Sequence, residues 1–196
     1  MLTLEWKHRL DNWRQELFNH IYRPLGAIPL CGFVTTEQLT LEEAAQRSYE
    51  PFPVGTQWGA KWEYGWFKGQ VTLPEAAKGE RIVLLIDVGG ESAVYVNGVA
   101  VGEADTRHPG MRRDHELALY HELLLAMDGV PGAQYNVFVE GYAGHGPRKA
   151  YAGPMPPGRE SVPEPPARQA TIGDSTFGVW QEDVYQLLLD VQTLYE

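Results

Sequence analysis

Large aromatic side chains crowd one stretch of the chain and are its strongest candidates for binding chemistry. In the stretch WGAKWEYGWFKGQV, four of the rings fall on even-numbered positions, at Trp58, Trp62, Tyr64 and Trp66. An extended backbone would place these rings along one side of a strand, where they could stack on the C–H faces of sugars. We favour the alternative, in which the rings cover a β-sandwich or pack on the N-terminal helix, because buried tryptophans are commoner than ligand-facing ones. The sequence leaves both interpretations open.

Three polar residues join the rings in a candidate carbohydrate site, because carboxylate and imidazole groups can hydrogen-bond sugar hydroxyls. They are Asp105, His108 and His145, which lie in or beside polar and glycine-rich segments. As metal ligands these residues lack the closely recurring pairs typical of structural zinc. We therefore predict no metal site and no cofactor in this chain.

Recognisable catalytic motifs are missing from the sequence. It contains no GxSxG, no HExxH and no P-loop. Cys31 has no histidine nearby in sequence and is typical of a small apolar filler. Asp87 follows an apolar run, and we expect its carboxylate to bond loop amides. We predict no catalytic residue; a small hydrolase using Asp87, Asp105 or His145 is a competing hypothesis.

A predicted β-hairpin and a buried strand must position these residues. Asn97 and Gly98 suit a two-residue type I′ turn, which predicts a hairpin that pairs Val94 with Val101. The preceding segment, residues 82–88, is apolar at nearly every position. Such a run is typical of a strand covered on both faces, and the two features together favour a β-sandwich.

Helical patterns flank this predicted sandwich. Trp6, Leu10, Trp13 and Leu17 recur at helical spacing, which predicts an amphipathic helix over residues 3–20 whose apolar stripe docks on another element. A second apolar helical face begins near Val184 and reaches the last residues without a glycine cap. We expect it to be the truncated start of a longer helix.

The fold class predicted is therefore mostly β: a β-sandwich with an N-terminal amphipathic helix and a truncated C-terminal helix. We expect three parts. Residues 1–50 form a helical and extended segment packed on the sandwich, residues 51–182 form the sandwich, and residues 183–196 begin a helical linker.

Charge and cysteine content exclude some partners. The net charge is −10, from 16 Lys and Arg against 26 Asp and Glu. Nucleic acids and anionic membranes both need a basic surface, so neither is expected as a partner. The single cysteine precludes an internal disulfide and favours a reducing compartment, and a cytoplasmic location is the expectation.

Three blocks of the sequence carry a family resemblance. WGAKWEYGWFKG, LLIDVGGESAVYVNGVAVG and EGYAGHGP, in this order, resemble the N-terminal part of the bacterial alpha-mannosidases of glycoside hydrolase family 38. The resemblance covers the whole chain, including the closing DVYQLLLDVQTLYE. The middle block is also similar to the galactose-binding-like jelly rolls of beta-galactosidases.

The resemblance implies a galactose-binding-like jelly roll that precedes a large catalytic domain, a retaining, zinc-dependent exo-mannosidase. In that family the nucleophilic Asp and the zinc ligands lie in the catalytic domain, and no position here matches their motifs. The chain alone is thus expected to be inactive. Residues 183–196 would begin the linker to this catalytic domain, which is absent here. The chain would pack on the catalytic domain of the same polypeptide, assist homo-oligomer assembly and shape the substrate cleft. The alternative is a stand-alone carbohydrate-binding module for mannosides, which would need the Trp58 to Trp66 rings exposed.

Overall fold

A computed structural model describes residues 3–105, 123–146 and 168–195 of the chain. The helices are α1 (Leu4–His20), α2 (Leu41–Ala45) and α3 (Glu182–Tyr195). The strands are β1 (Tyr22–Ala27), β2 (Cys31–Thr35), β3 (Glu50–Pro51), β4 (Gln57–Trp58), β5 (Tyr64–Thr72), β6 (Ile82–Leu85), β7 (Glu91–Val96), β8 (Val99–Asp105), β9 (Leu123–Ala126), β10 (Gln134–Tyr142), β11 (Ala170–Thr171) and β12 (Thr176–Trp180). Within these ranges, no helix is both long enough and apolar enough to cross a membrane.

Two main sheets of antiparallel strands face each other, which confirms the predicted mostly-β sandwich with a helix near each end. One sheet has the strand order β1-β12-β6-β9, and the other has the order β3-β2-β5-β10-β7-β8. A small third sheet pairs β11 with β4. Strands from both halves of the sequence alternate between the sheets, so neither sheet can form from one contiguous segment.

The core lies between the two sheets. Phe67, Val94 and Val139 point inward from the larger sheet, while Ile82 and Leu84 of β6 point inward from the smaller one. These side chains are essentially inaccessible to solvent, so their burial drives the pairing of the sheets.

A second apolar cluster covers the opposite face of the smaller sheet. Val83 of β6 and Trp180 of β12 pack there with Ile21 and with Leu188 of α3. Because β6 alternates between the two clusters, it is buried on both faces, as its uninterrupted apolar sequence predicts. The helices α1 and α3 therefore lie outside the smaller sheet.

The predicted hairpin forms with Val96 opposite Val99 and Tyr95 opposite Ala100, and its register changes only beyond these pairs. Asn97 and Gly98 adopt φ angles of 49° and 84°, as a two-residue turn with both positions left-handed requires. The register then shifts by one residue, so Val94 faces Gly102, and the predicted pairing of Val94 with Val101 is wrong. A β-bulge in β8 inserts the extra residue.

Two strands near the start of the chain belong to the main sheets. β1 pairs with β12 at the edge of the smaller sheet, and β2 pairs with β5 in the larger one. Strands of the sandwich therefore occur from Tyr22 onward, directly after α1.

Candidate functional site

One end of the larger sheet brings polar and aromatic side chains into a transverse line on its outer face. We call this line the outer row. Each of five neighbouring strands contributes one residue, and direct cross-strand partners share a face. The members, in strand order across the sheet, are Thr35, Tyr64, Tyr142, Glu91 and Asp105.

Strand alternation explains why these residues face outward. Gly65 and Phe67 of β5 face the core, so Tyr64 faces the opposite side. The Tyr64 and Tyr142 rings lie 4.9 Å apart between centroids and are tilted by 31°. Burial, followed by the proximity of Tyr64 and the charge of Glu91, raises the pKa of Tyr142. The phenol therefore stays protonated and can donate a hydrogen bond at neutral pH.

Trp62 lies in the turn before β5, two residues ahead of Tyr64. Its ring is 48% exposed and makes an edge contact with His145, with 5.5 Å between ring centroids. Two backbone hydrogen bonds join the loops that carry these residues. The Trp62 N–H donates to the Gly144 carbonyl at 2.8 Å, and the Ala143 N–H donates to the Glu63 carbonyl at 2.9 Å. The two rings are thus held together by main chain and not by their own contact alone.

The sequence around each loop accounts for its shape. The Glu63 carboxylate accepts hydrogen bonds from the Gly59 and Ala60 N–H groups, at 3.1 and 2.8 Å, and so closes the turn before β5. Gly144 and Gly146 have φ angles of 69° and 75°, which glycine adopts without strain. The AGHG sequence therefore turns the chain back and presents His145 beside Trp62.

The four-ring platform expected from parity does not form. The turn before β5 interrupts the extended backbone, and Trp62 itself has a φ of 64°. Trp58 is 3% exposed and Trp66 is 0% exposed, so neither presents a ring face to a ligand. Trp62 and Tyr64 remain accessible members of the predicted set, Tyr64 being half-buried.

Trp58 belongs to the core. Its Nε1–H donates to the Val88 carbonyl at 2.8 Å, and its ring meets the Phe67 ring edge-on at 5.2 Å. Gly65 and Gly141 face each other across β5 and β10, and a Cβ on either would lie within about 3.0 Å of the Trp58 ring. The glycine pair therefore forms the slot that the indole fills.

Trp66 also lies on the outer face, two residues along β5 from Tyr64 and directly opposite Glu140 of β10. Its ring stacks on Tyr95 with a centroid distance of 6.4 Å. The Tyr95 hydroxyl donates to Glu140 Oε2 at 3.4 Å, while burial raises the pKa of Glu140 above its usual value. Glu140 is thus a half-buried carboxylate on the outer face, two residues along β10 from Tyr142 of the row.

The polar candidates divide into three groups. Asp105 is at one end of the outer row, three strands away from Tyr64, and His145 is beside Trp62. His108 lies outside the described residues. Asp87 accepts the Gly89 N–H at 3.0 Å through its carboxylate, which confirms the structural role expected for it. In the described ranges, no group of three or more His, Cys, Asp or Glu side chains could hold a metal ion.

Sequence reasoning missed Tyr142 and Glu91. Their positions follow from parity once the inward residues are fixed: Val139 and Gly141 point inward on β10, so Tyr142 points outward. Likewise, Val94 and buried Ser92 place Glu91 on the outer face. The alternation of inward and outward residues was present in the sequence, but bringing Tyr142 and Glu91 beside Tyr64 required the register between β5, β10 and β7.

A second surface lies on α1, on the far side of the sandwich. Trp6 and Trp13 are 53% and 63% exposed and flank half-buried Leu10; we call these three residues the α1 patch. The Arg9 guanidinium lies over the Trp6 ring, 5.2 Å from its centroid. The helix contributes Arg14 as its only buried residue, so the apolar stripe expected to dock is largely open.

Comparisons with known proteins locate the chain within a family. A family model described as "Alpha-mannosidase, jelly roll domain" matches residues 29–136. Alpha-mannosidase 2C1 of Mus musculus is 28% identical over 171 residues, which cover 86% of this chain and 15% of that protein. Alpha-mannosidase 2C1 of Homo sapiens is 29% identical over 175 residues, which cover 84% of this chain and 14% of that protein. The chain therefore spans a small part of these relatives.

Solved structures support the fold alone. The β-glucuronidase from Ruminococcus gnavus in complex with D-glucuronic acid superposes with a TM-score of 0.50 at 13% sequence identity. The match covers 82% of this chain and 30% of that chain. The complex of the same enzyme with uronic deoxynojirimycin gives the same TM-score and identity. At this identity the similarity concerns the sandwich and not a shared activity.

Proposed function

The chain belongs to the family of alpha-mannosidase jelly roll domains, and on this premise we propose that it is a non-catalytic domain of an alpha-mannosidase. Its role is to pack against the rest of that polypeptide and to support the mannosidase that the remainder forms. The role includes shaping the substrate cleft and assisting homo-oligomer assembly, and it places this domain in mannose metabolism.

The observation that carries the proposal is the exposed α1 patch. Two tryptophans, two helical turns apart, are more than half exposed on either side of Leu10, and Leu187 of α3 is 47% exposed. Exposed apolar groups rimmed by polar residues mark interaction surfaces, and tryptophans are frequent anchors of such interfaces. The occupant we assign is the remaining polypeptide of the alpha-mannosidase, because this chain matches only 15% of the mouse protein.

A chimera tests the packing role. Mouse alpha-mannosidase 2C1 is expressed with this chain in place of its matching segment, beside the enzyme that lacks the segment altogether. We expect the chimera to have higher soluble yield and mannosidase activity than the truncated enzyme. Equal activity of the two would contradict the proposal.

The α1 patch is then tested within the chimera. Trp13→Asp should lower activity and soluble yield, because a carboxylate at an apolar interface is costly to desolvate. Met127→Asp is the matched control, since it places the same carboxylate on an exposed apolar residue, 66% accessible, outside the α1 patch. Unchanged activity in Trp13→Asp would show that the patch is not the packing surface. Gel filtration of the same variants reports whether the patch also affects oligomeric state.

Zinc and cellular location remain predictions. The zinc of the parent enzyme is expected in the catalytic domain, and no zinc ligand is assigned to a residue of this chain. The isolated chain is expected to release no 4-nitrophenol from 4-nitrophenyl alpha-mannoside with zinc present, and turnover would refute the non-catalytic role. We propose a cytoplasmic location because a chain with one cysteine suits a reducing compartment.

Carbohydrate binding is the second candidate function. The whole Trp58 to Trp66 strand is no longer a suitable platform, because two of its rings are buried. The exposed Trp62 ring beside the outer row is the specific observation that keeps this candidate.

A further inference from the structure

We propose that the α1 patch binds an amphipathic α-helix from the remaining polypeptide of the alpha-mannosidase, and that one apolar side chain of this helix inserts between Trp6 and Trp13. The inference rests on the proposed function, which assigns the patch to that polypeptide. It adds the kind of element that binds there and the way in which that element is held.

A groove on α1 has the geometry of a hole for a side chain of a facing helix. The groove has a volume of about 390 Å³. Besides Asn12, the residues that line it follow the spacing i, i+3, i+4 and i+7: they are Trp6, Arg9, Leu10 and Trp13. Residues with this spacing share one face of a helix. When helices pack as in a coiled coil, each apolar knob of one helix enters a hole formed by four residues of the other. The lining of the groove therefore favours a helix as the partner.

The apolar stripe of α1 runs from a covered half into an open half. Residues 6, 10, 13 and 17 are separated by four, three and four positions, which is the alternation of a seam between packed helices. Leu17, at one end of the stripe, packs against the apolar cluster that includes Leu188 of α3. Trp13 and Trp6, further along, are more than half exposed. A partner helix would continue along α1 the packing that α3 and the smaller sheet begin at Leu17.

The first turns of α1 would gain stability from such a partner. Every residue from Thr3 to Arg9 is exposed, and Leu4 has 73% of its surface accessible. Helical segments this short are marginal in water, and most of their stability in proteins comes from packing of an apolar face. A helix lying along Trp6 and Leu10 would provide that packing.

The charged residue that lines the groove keeps its present interactions. The Arg9 guanidinium donates to Glu5 Oε1 at 2.8 Å and lies over the Trp6 ring. The stem of an arginine can cover apolar surface while its charged head stays in water. The inserted side chain therefore contacts apolar atoms, and no ion pair has to break.

Covalent linkage favours a segment of the same polypeptide over a second copy of the chain. Because this chain matches only 15% of the mouse relative, most of such a polypeptide lies outside the jelly roll. A tethered segment acts at an effective concentration on the order of millimolar, whereas a second copy must bind from dilute solution.

Photo-crosslinking in the mouse enzyme chimera tests the kind of partner. One chimera carries p-benzoylphenylalanine in place of Trp13. The matched control carries it in place of Gln15, which is exposed and lies about 160° round the helix from Trp13. We expect the label at position 13 to crosslink within the same polypeptide to one segment outside the jelly roll, whose apolar residues recur every three or four positions. The label at position 15 should give none of this product.

Three results would overturn the proposal: a product of twice the mass, which indicates a second copy; a crosslink to a segment without that spacing; or no crosslink in a folded, active chimera. Each of them leaves the packing role intact. That role fails on a different result, equal activity of the chimera and the truncated enzyme.

A pair of aspartate variants of the chimera gives a second readout. Leu10 lies at the centre of the groove, so Leu10→Asp should lower soluble mannosidase activity at least about tenfold, because it places a carboxylate against the inserted apolar side chain. Gln15→Asp places the same carboxylate on the opposite side of α1 and should behave like the unsubstituted chimera. Circular dichroism establishes that both variants are folded. Equal activity of the two would contradict insertion at Leu10.

Discussion

The burial of Trp58 leads to a prediction that separates a core tryptophan from a ligand-binding one. Trp58→Ala would remove the whole indole from the slot formed by Gly65 and Gly141. Neither glycine has a side chain that could move into the space, so a cavity would remain. Substitution of a buried aromatic residue by alanine costs about 3–5 kcal/mol, and the upper part of this range applies where the site cannot collapse.

A conservative variant divides this cost into two contributions. Trp58→Phe keeps part of the ring and its contact with Phe67, but it removes the donor of the 2.8 Å hydrogen bond to the Val88 carbonyl. Leaving a buried acceptor without its donor costs about 1–3 kcal/mol. We therefore expect Trp58→Phe to be less stable than the wild type but clearly more stable than Trp58→Ala.

Two experiments, both followed by far-ultraviolet circular dichroism, measure the stability of the variants. Guanidinium denaturation gives the free energy of unfolding, and thermal denaturation gives the melting temperature. In a domain of this size each kcal/mol shifts the melting temperature by about 2–4 °C, so Trp58→Ala should melt roughly 6–20 °C lower. Trp62→Ala is the control and should change the free energy of unfolding by less than about 1 kcal/mol, because its ring is largely exposed. Equal stability of the two alanine variants would refute the assignment of Trp58 to the core.

Three further predictions concern packing and pH. Gly178→Ala should cost about 1–3 kcal/mol in thermal denaturation, because its new Cβ would lie 2.6 Å from the Tyr22 ring. Burial raises the pKa of Glu140 from 4.5, so the charged carboxylate destabilises the fold at a pH above the raised pKa. Glu140→Gln should therefore increase the free energy of unfolding at neutral pH. This increase should disappear in denaturation experiments at a pH below the pKa that Glu140 has in the unfolded state. Hydrogen bonds, led by that from Gln186, lower the pKa of Glu182. Glu182→Gln should therefore be destabilising at neutral pH, by less than about 1 kcal/mol because the side chain is 43% exposed. The difference in stability between variant and wild type should vanish as pH falls through the lowered pKa.

Local signals in the sequence predicted the parts of the fold that depend on neighbouring residues. The turn at Asn97 and Gly98 and the doubly buried strand near Val83 both form as expected, because turn chemistry and hydrophobic runs act over a few residues. The bulge that pairs Val94 with Gly102 was not predictable from these signals. It depends on how β8 meets the rest of the sandwich, and no residue type specifies it.

Parity arguments failed where the backbone left the extended conformation. Trp58 and Trp62 share parity with Tyr64, but parity fixes a face only within one uninterrupted strand. Trp62 adopts a left-handed φ that a large side chain rarely occupies, and the sequence gives no warning of it. The candidate site was thus half predictable: the strand residue Tyr64 and the loop residue His145 were found, while the partners on β7 and β10 needed the register.

Helical periodicity has the same limit on α1. The pattern predicted the helix correctly, yet the side that packs inward centres on Arg14 and Leu17, whereas Trp13 faces solvent. Amphipathicity shows that a helix has an apolar stripe, not which partner covers it. An apolar stripe left open by the sandwich is consistent with a partner elsewhere in the alpha-mannosidase polypeptide.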